Sequence, residues 1–194
     1  MFLFTKPDKA TIRRFIEAQE GTAFSYAEVG ATRNGSAPTL YTVDHNRVCL
    51  GVGRAAFARA VAAVRGWRMF ALGWTHLCFA DTPVETGATV AILINHLGFW
   101  SLNAARIVYV LDEADGAVEK FGFAYGTLIE HGERGEERFS VEYHQADESV
   151  WYDLYAFSQP QHILARLGYP VSRMLQKRFA AESKQAMARE TAQK

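Results

Sequence analysis

Hydrophobic and polar residues alternate along three consecutive stretches between residues 121 and 160, which is the pattern of half-buried β-strands. One face of the first stretch carries Phe121, Phe123, Tyr125, Thr127, Ile129 and His131. The second stretch repeats the pattern from Phe139 to Tyr143, and the charged segment 131–138 is interpreted as the turn between the two. The third stretch places Asp153 on its polar phase, which is therefore predicted to face outward. The alternation predicts three antiparallel strands.

The rest of the chain adds two short helices and further strands. A short amphipathic helix is predicted between Asp8 and Gly21. Further strands are predicted at 41–50, 72–80, 88–96 and 103–112, and an Ala-rich helix at 54–65. Because no helix separates the later strands, the sheet is expected to be antiparallel, and Gly122 and Gly126 suggest that it bends. The predicted fold is α+β: a curved antiparallel sheet of about six or seven strands gripping a long C-terminal helix, with an N-terminal helical arm.

A long final helix is predicted from Gln161 to about Gln193. Its apolar stripe consists of Leu164, Leu167, Val171, Leu175 and Phe179. Pro170 interrupts the pattern, so a break or kink is expected at residues 168–170. The tail beyond Ala188 is polar and is expected to fray. The stripe makes this helix the expected cover for one face of the sheet.

The composition favours one main domain, residues 40–194, with residues 1–39 as an arm packed on it. Basic and acidic residues number 21 each, so no overall field favours nucleic acid or an anionic membrane as a partner. No signal peptide or membrane span is expected, because the N-terminal apolar run and the longest apolar stretch are both too short. Cys49 and Cys78 lack the spacing of a disulfide framework or a zinc site. A cytoplasmic protein is expected.

One short motif resembles a cofactor site. Gly51, Gly53 and Ala56 follow a predicted strand and open a helix, as in the G-x-G-x-x-G/A turn of dinucleotide-binding proteins. That fingerprint requires a βαβ unit and an acidic residue about 20 positions further on, and neither follows here. The motif is interpreted as a structural turn, and no cofactor is predicted. The six histidines show no ligand spacing, so no metal site is predicted either.

His131 is the one candidate for catalysis. It ends the aromatic face of its strand and is close in sequence to Glu130, Glu133, Glu136 and Glu137. A histidine with a carboxylate partner can act as a general acid or base. The alternatives are a hydrogen-bonded histidine at a hairpin corner and a solvated acidic turn. No stretch of the chain carries a reaction signature.

Several inward-facing hydroxyls and a histidine on one apolar sheet face are also typical of a small-molecule cavity. The predicted lining residues are Tyr125, Ile129, His131, Val141, Tyr143, Tyr152, Leu167 and Leu175. The alternative is that the tyrosines are core aromatics whose hydroxyls find partners inside a filled core.

Several segments of the chain resemble one uncharacterised family. They are YAEVGATR at 26–33, the GVG turn with Phe57, PVETG at 83–87, FAYGTLIEHGERGEERFSVE at 123–142, VWYDLYAFSQP at 150–160 and LGYPVSRMLQKRF at 167–179. The chain resembles uncharacterised protein family 0548, a domain of unknown function also termed DUF1990. The resemblance brings no assigned activity, so it implies no catalytic residue.

The predicted order of elements is also similar to START-like helix-grip domains, in which a curved sheet wraps the last helix around an apolar cavity. That resemblance implies a START-like domain at residues 40–194, although one short helix rather than two follows the first strand. Fold similarity alone does not assign function.

Three functions remain open. The first is binding of a small apolar or amphipathic molecule in a cavity between the sheet and the C-terminal helix. The second is an enzyme of the cyclase or hydrolase type that uses the same cavity, with His131 as the acid or base. The third is a structural or partner-binding module with a filled core.

Overall fold

The structure is a computed structural model that describes residues 1–36, 38–96, 98–161 and 169–192. The helices are α1 (Lys9–Gln19), α2 (Arg54–Arg65) and α3 (Tyr169–Thr191), with short 3-10 turns at Ala31–Asn34 and Arg68–Phe70. The strands are β1 (Phe2–Leu3), β2 (Thr42–Val52), β3 (Thr75–Cys78), β4 (Thr89–His96), β5 (Phe99–Glu113), β6 (Val118–Thr127), β7 (Glu133–His144) and β8 (Ser149–Pro160).

Seven strands form one antiparallel sheet in the order β2-β8-β7-β6-β5-β4-β3, and the short β1 adds to β5 beside Ser101. The sheet curls around α3, so the predicted α+β fold with a gripped C-terminal helix is confirmed. Register shifts near Cys49 in β2 and near Val108 in β5 mark β-bulges, which bend strands locally. At Gly122 a Cβ would overlap the carbonyl of Phe139, so the glycine permits close approach of β7.

The concave face holds the main core. The alternating residues predicted to face inward are buried there, including Phe121, Phe123, Phe139, Val150 and Leu154. Asp153 lies on the opposite face, as predicted, where Arg138 pairs with it at 2.8 Å. α2 and the C-terminal part of α3 close one end of this core through Val64 and Met187.

The N-terminal arm covers part of the outer face of the sheet. Asp8 caps α1 by accepting a 2.7 Å hydrogen bond from the backbone N–H of Thr11. Ile12 and Phe15 on the buried side of α1 pack against Leu93 and Leu102 of β4 and β5. Both faces of this part of the sheet are therefore covered.

Several predicted boundaries are wrong: the strand predicted at 72–80 is Thr75–Cys78, and the strand predicted at 103–112 already begins at Phe99. The segment 131–138 is not a charged turn, because β6 ends at Thr127 and β7 already begins at Glu133. The charges fit a strand since Glu136 finds partners in the arm and Glu137 lies on the concave face. The tail also does not fray at Ala188: α3 continues to Thr191, which is 1% exposed.

The N-terminal part of the predicted closing helix is less fully described. Gln161 directly follows β8 and is not helical, and residues 162–168, with Leu164 and Leu167, lie outside the described residues. The predicted break at 168–170 falls at the edge of this gap. From Tyr169 the chain is helical, so Pro170 lies inside the first described turn of α3.

Candidate functional site

A cavity of about 1020 Å³ lies between the concave face of the sheet and the N-terminal half of α3. Its wall is mainly apolar and includes Phe70, Trp74, Ile92, Leu154, Leu175 and Phe179. Residues of β1 and its neighbours contribute exposed aromatic side chains: Phe2, Phe4 and Phe99 are 48%, 94% and 43% exposed. The cavity thus extends from the core to an apolar rim.

The helical stripe of the sequence builds one wall. Val171, Leu175 and Phe179 recur every fourth residue and all line the cavity, as expected for one face of a helix. Phe179 also packs on Phe70, with ring centroids 5.3 Å apart. Phe70 belongs to the 3-10 turn at Arg68–Phe70, so this contact packs α3 against that turn at the cavity wall.

Glu137 is a carboxyl on the inward face of β7. It is directly paired in register with Tyr125 of β6, whose hydroxyl donates a 2.7 Å hydrogen bond to Oε2 of Glu137. Burial raises the pKa of Glu137 to about 7, although the bond from Tyr125 lowers it in part and the charge of Asp44 raises it further. Near neutral pH this carboxyl exists in both protonation states.

Glu133 lies four residues earlier on the same face of β7. Burial raises its pKa to about 7 as well, opposed by the Ser172 hydroxyl and by the charge of Arg173. Gly135 separates the two glutamates with a φ of 151°, and a Cβ there would overlap the Phe157 carbonyl. No side chain therefore fills the strand surface between the two carboxyls.

Arg173 on α3 is held by an acidic partner on the opposite edge of the sheet. Its guanidinium donates to both carboxylate oxygens of Asp44 on β2, at 2.6 and 2.7 Å. Such a bidentate pair fixes the orientation of both side chains. It ties the N-terminal part of α3 to the edge strand at the cavity wall.

His131 lines the cavity from the β6–β7 turn, as the sequence suggested. Its Nδ1 lies 3.0 Å from the carbonyl oxygen and 3.1 Å from the nitrogen of Glu133. Burial lowers the pKa of His131 to about 4, so the imidazole is neutral at pH 7. Among the described residues no carboxylate side chain pairs with it, and its Nε2 has no hydrogen-bond partner.

A chain of neutral polar groups supports this turn. His96 Nε2 lies 2.7 Å from the Ser101 hydroxyl, which also accepts a 2.9 Å bond from Asn103 Nδ2. Asn103 Oδ1 in turn accepts a 3.3 Å bond from the Gly132 N–H. These groups were not predicted from the sequence. The available signal was the pair of polar residues Ser101 and Asn103, two positions apart on the otherwise apolar inward face of β5.

Glu136 lies on the opposite face of β7, where residues of the N-terminal arm donate hydrogen bonds to its carboxylate. It accepts hydrogen bonds from the Tyr26 hydroxyl at 2.6 Å, from the N–H groups of Gly30 and Thr32 at 2.7 and 3.0 Å, and from the Thr32 hydroxyl. Gly126 makes room for Tyr26, since a Cβ there would overlap its hydroxyl. The arm therefore holds β7 from behind the cavity.

The structure brings together only some of the predicted lining residues. Tyr125, His131 and Leu175 line the cavity. Val141, Tyr143 and Tyr152 do not: the first is fully buried core, Tyr143 contacts Glu148, and Tyr152 pairs with Ser183 at 2.8 Å. Ile129 is 54% exposed in the turn outside the wall, and Leu167 lies outside the described residues. Val141, Tyr143 and Tyr152 lie away from the cavity because α2 and the C-terminal half of α3 fill that end of the sheet.

The turn at 51–56, the acidic and histidine residues, and the two cysteines are the other candidates for chemistry. Gly53 caps α2, and β2 pairs antiparallel with β8, so the turn at 51–56 is not part of a parallel βαβ unit. The described residues contain no group of three or more acidic, histidine or cysteine side chains placed to hold a metal ion. Cys49 and Cys78 are free thiols. No described helix is long and apolar enough to cross a membrane.

Comparison with known proteins identifies the family. The sequence profile of a domain of unknown function, DUF1990, matches residues 25–186. The chain belongs to this family. The DUF1990 protein is 37% identical to the UPF0548 protein of Dictyostelium discoideum, over 94% of this chain and 92% of the relative. It is 38% identical to the UPF0548 protein of Deinococcus radiodurans, over 93% of each chain.

A solved structure is similar to this DUF1990 protein in fold. The hypothetical protein jhp0584 from Helicobacter pylori aligns with a TM-score of 0.50, over 88% of this chain and 96% of that chain, at 11% identity. The family profile and the two UPF0548 relatives confirm the family predicted from the sequence segments, and the names of these proteins assign no activity.

Proposed function

We propose that this DUF1990 protein binds a small apolar or amphipathic molecule in the cavity between the sheet and α3. The observation that carries the proposal is the open space of about 1020 Å³, which is at the upper end of the roughly 300–1,000 Å³ of small-molecule sites. A mainly apolar wall with a few convergent polar groups is the usual composition of such sites.

The open cavity also favours ligand binding over a structural module with a filled core. The end of the sheet around Val141 and Tyr152 is packed shut by α2 and α3, as a structural module requires. The end around Tyr125 and Leu175 stays open. A protein selected only for stability would gain from filling that space, because empty apolar volume weakens packing.

A second candidate function, catalysis in the same cavity, is favoured by the two carboxyls in its wall. General acid–base catalysis is most efficient when the pKa of the catalytic group is near the working pH. Glu133 and Glu137, each with a pKa of about 7, meet that condition better than His131, with a pKa of about 4. The enzyme hypothesis therefore moves from His131 to the glutamates of β7.

The compartment remains part of the proposal. Two free thiols, one of them exposed, support a reducing compartment such as the cytoplasm.

Filling the cavity tests the proposal. Ala156 lines the cavity on β8, in register with Glu137, whereas Ala181 is exposed on α3. An environment-sensitive naphthalene dye should bind the wild type and Ala181→Phe alike, and Ala156→Phe at least about tenfold more weakly because the new ring occupies the site. Equal affinity for all three proteins would place the dye elsewhere and contradict the proposal.

A further inference from the structure

We infer that the cavity selects amphipathic molecules that carry a protonated amine, and that Glu137 is the residue that receives this amine. The inference rests on the proposed binding function and adds the chemical class of the ligand. It is based on the position of one carboxyl, on its unused hydrogen-bonding capacity, and on the charges that surround it.

One oxygen of Glu137 is available to a ligand. Oε2 accepts the bond from Tyr125, which fixes the carboxyl against the wall. Oε1 has no hydrogen-bond partner among the described residues, yet it is not one of their fully enclosed unsatisfied atoms. Glu137 lines the cavity and is only partly buried, so a ligand in that space can approach Oε1. A carboxyl in a cavity wall with one open oxygen is a hydrogen-bond acceptor without a donor.

The described residues around Glu137 offer it no cationic partner. The titratable residues that line the cavity beside Glu137 are Asp44, His45, His96, Tyr125, His131, Glu133, Glu136 and Lys177. Tyr152 and Arg173 act on its glutamates from outside the wall. Arg173 is held by Asp44, and Lys177 is exposed on α3. The side chains of His45 and Glu136 are paired on the outer face, with Asp153 and Tyr26. Within the part of the chain that the structure describes, Glu137 forms no ion pair.

An ammonium group fits the position beside Glu137 better than a neutral or an anionic head group does. It is compact, it brings three donors, and it would provide the charge partner that a carboxylate in apolar surroundings requires. The aromatic rings of Phe70, Tyr125 and Phe179 beside it suit a cation with an apolar body. An anionic ligand would be repelled by Glu133 and Glu137 together.

Binding of an amine at Glu137 also predicts a pH dependence. A bound cation favours the ionised carboxyl, so it must lower the pKa of Glu137 from about 7 and release a proton on binding near that pH. Affinity for the amine should therefore rise as the pH increases through about 7. Affinity for a neutral ligand of the same shape should not rise.

Three probes that share a naphthalene ring system and differ in the head group test the inference. They are naphthylmethylamine, naphthylmethanol and naphthoic acid. Calorimetry with the full chain at about pH 8 should show the amine binding about tenfold tighter than the alcohol, and the acid weakest. At about pH 5.5 the preference for the amine should fall to about twofold or less. Glu137→Gln should bind the amine no better than the alcohol, and Glu113→Gln, an exposed control, should keep the wild-type preference.

Each other outcome overturns a specific statement. Equal binding of amine and alcohol at about pH 8, or tighter binding of the acid, overturns the amine inference and leaves the binding function intact. Loss of the preference in Glu133→Gln but not in Glu137→Gln overturns the assignment to Glu137. Failure of all three probes to bind overturns the inference and the proposed function together. If Glu137→Gln does not fold, the pH profile of the wild type decides, since a pH-independent preference overturns the inference.

Discussion

Tyr125 and Glu137 lie directly opposite each other on adjacent strands, and the Tyr125 hydroxyl donates a 2.7 Å hydrogen bond to the Glu137 carboxyl. The pair faces the open end of the concave sheet rather than its filled end. Burial holds the pKa of Tyr125 well above its usual value and raises that of Glu137 to about 7. An ionisable group is thus kept in an apolar cavity at a cost in stability, which is typical of functional sites.

Replacement of Glu137 by Gln should stabilise the protein at alkaline pH. Below the ordinary pKa of 4.5 both folded and unfolded states hold the proton and the carboxyl costs nothing. Between pH 4.5 and about 7 only the unfolded state ionises, so the wild type loses stability as the pH rises. Above about pH 7 the loss is complete and amounts to at most about 3 kcal/mol, reduced by whatever water reaches the cavity.

Denaturant unfolding of Glu137→Gln and wild type at several pH values measures this difference. Glu113→Gln is the matched control, since Glu113 is exposed at the end of β5, and its stability relative to wild type should not depend on pH. If Glu137→Gln is less stable than wild type at every pH, the carboxylate bond to Tyr125 outweighs the cost of burial and the prediction is wrong.

Replacement of His131 by Asn separates the two catalytic candidates. If a reaction is found, His131→Asn should reduce turnover only slightly, because the neutral imidazole has a pKa of about 4 and its Nδ1 contacts the backbone of Glu133. Glu137→Gln should reduce turnover by about 10² or more and abolish an inflection in the rate profile near pH 7. The reverse order of effects would return the catalytic role to His131.

Removal of the Glu136 carboxyl should weaken the attachment of the N-terminal arm to β7 and destabilise the protein. Glu136→Ala leaves the buried donors of Tyr26 and Thr32 and the partly buried N–H of Gly30 without an acceptor, which should cost about 3 kcal/mol or more in unfolding free energy. Glu113→Ala, on the exposed end of β5, should change it by less than about 0.5 kcal/mol. Thermal unfolding measures both, and equal stability of the two variants would show that the arm does not depend on Glu136.

A methyl group at position 126 tests the same contact from the other side. Gly126→Ala would place a Cβ on the Tyr26 hydroxyl, and the overpacking should cost about 1 to 3 kcal/mol. Gly73→Ala is the control, because a Cβ at Gly73 meets no atom within 4 Å and its φ is not positive. If both alanines are tolerated equally, Tyr26 does not pack on Gly126 as the structure shows.

The sequence predicts the sheet well because alternation records which side of a strand is buried. The outward phase of Asp153 and the inward phase of Phe123 follow from that period alone. The stripe of Leu175 and Phe179 on the closing helix follows in the same way from a period of about 3.6.

The candidate site is harder to predict because its partners are distant in sequence. Glu136 resembles a turn residue until Tyr26 and Thr32, more than 100 positions away, supply its hydrogen bonds. The role of Glu137, next to it in the chain, depends on the cavity that this residue lines, and no local sequence pattern predicts a cavity. Periodicity identifies the inward face, but only packing shows that Tyr152 lies at a filled end and Tyr125 at an open one.

Mapping a bound ligand by methyl NMR tests the central claim most directly. With naphthylmethylamine at saturation, the methyl signals of Ile92, Ile94, Leu154 and Leu175 around the cavity should shift. Those of Val64, Val141 and Val150 in the packed end of the core should stay within experimental error. Shifts confined to the packed end or to the outer face of the sheet, or no shifts at any ligand concentration, would contradict the assignment of this cavity as a binding site.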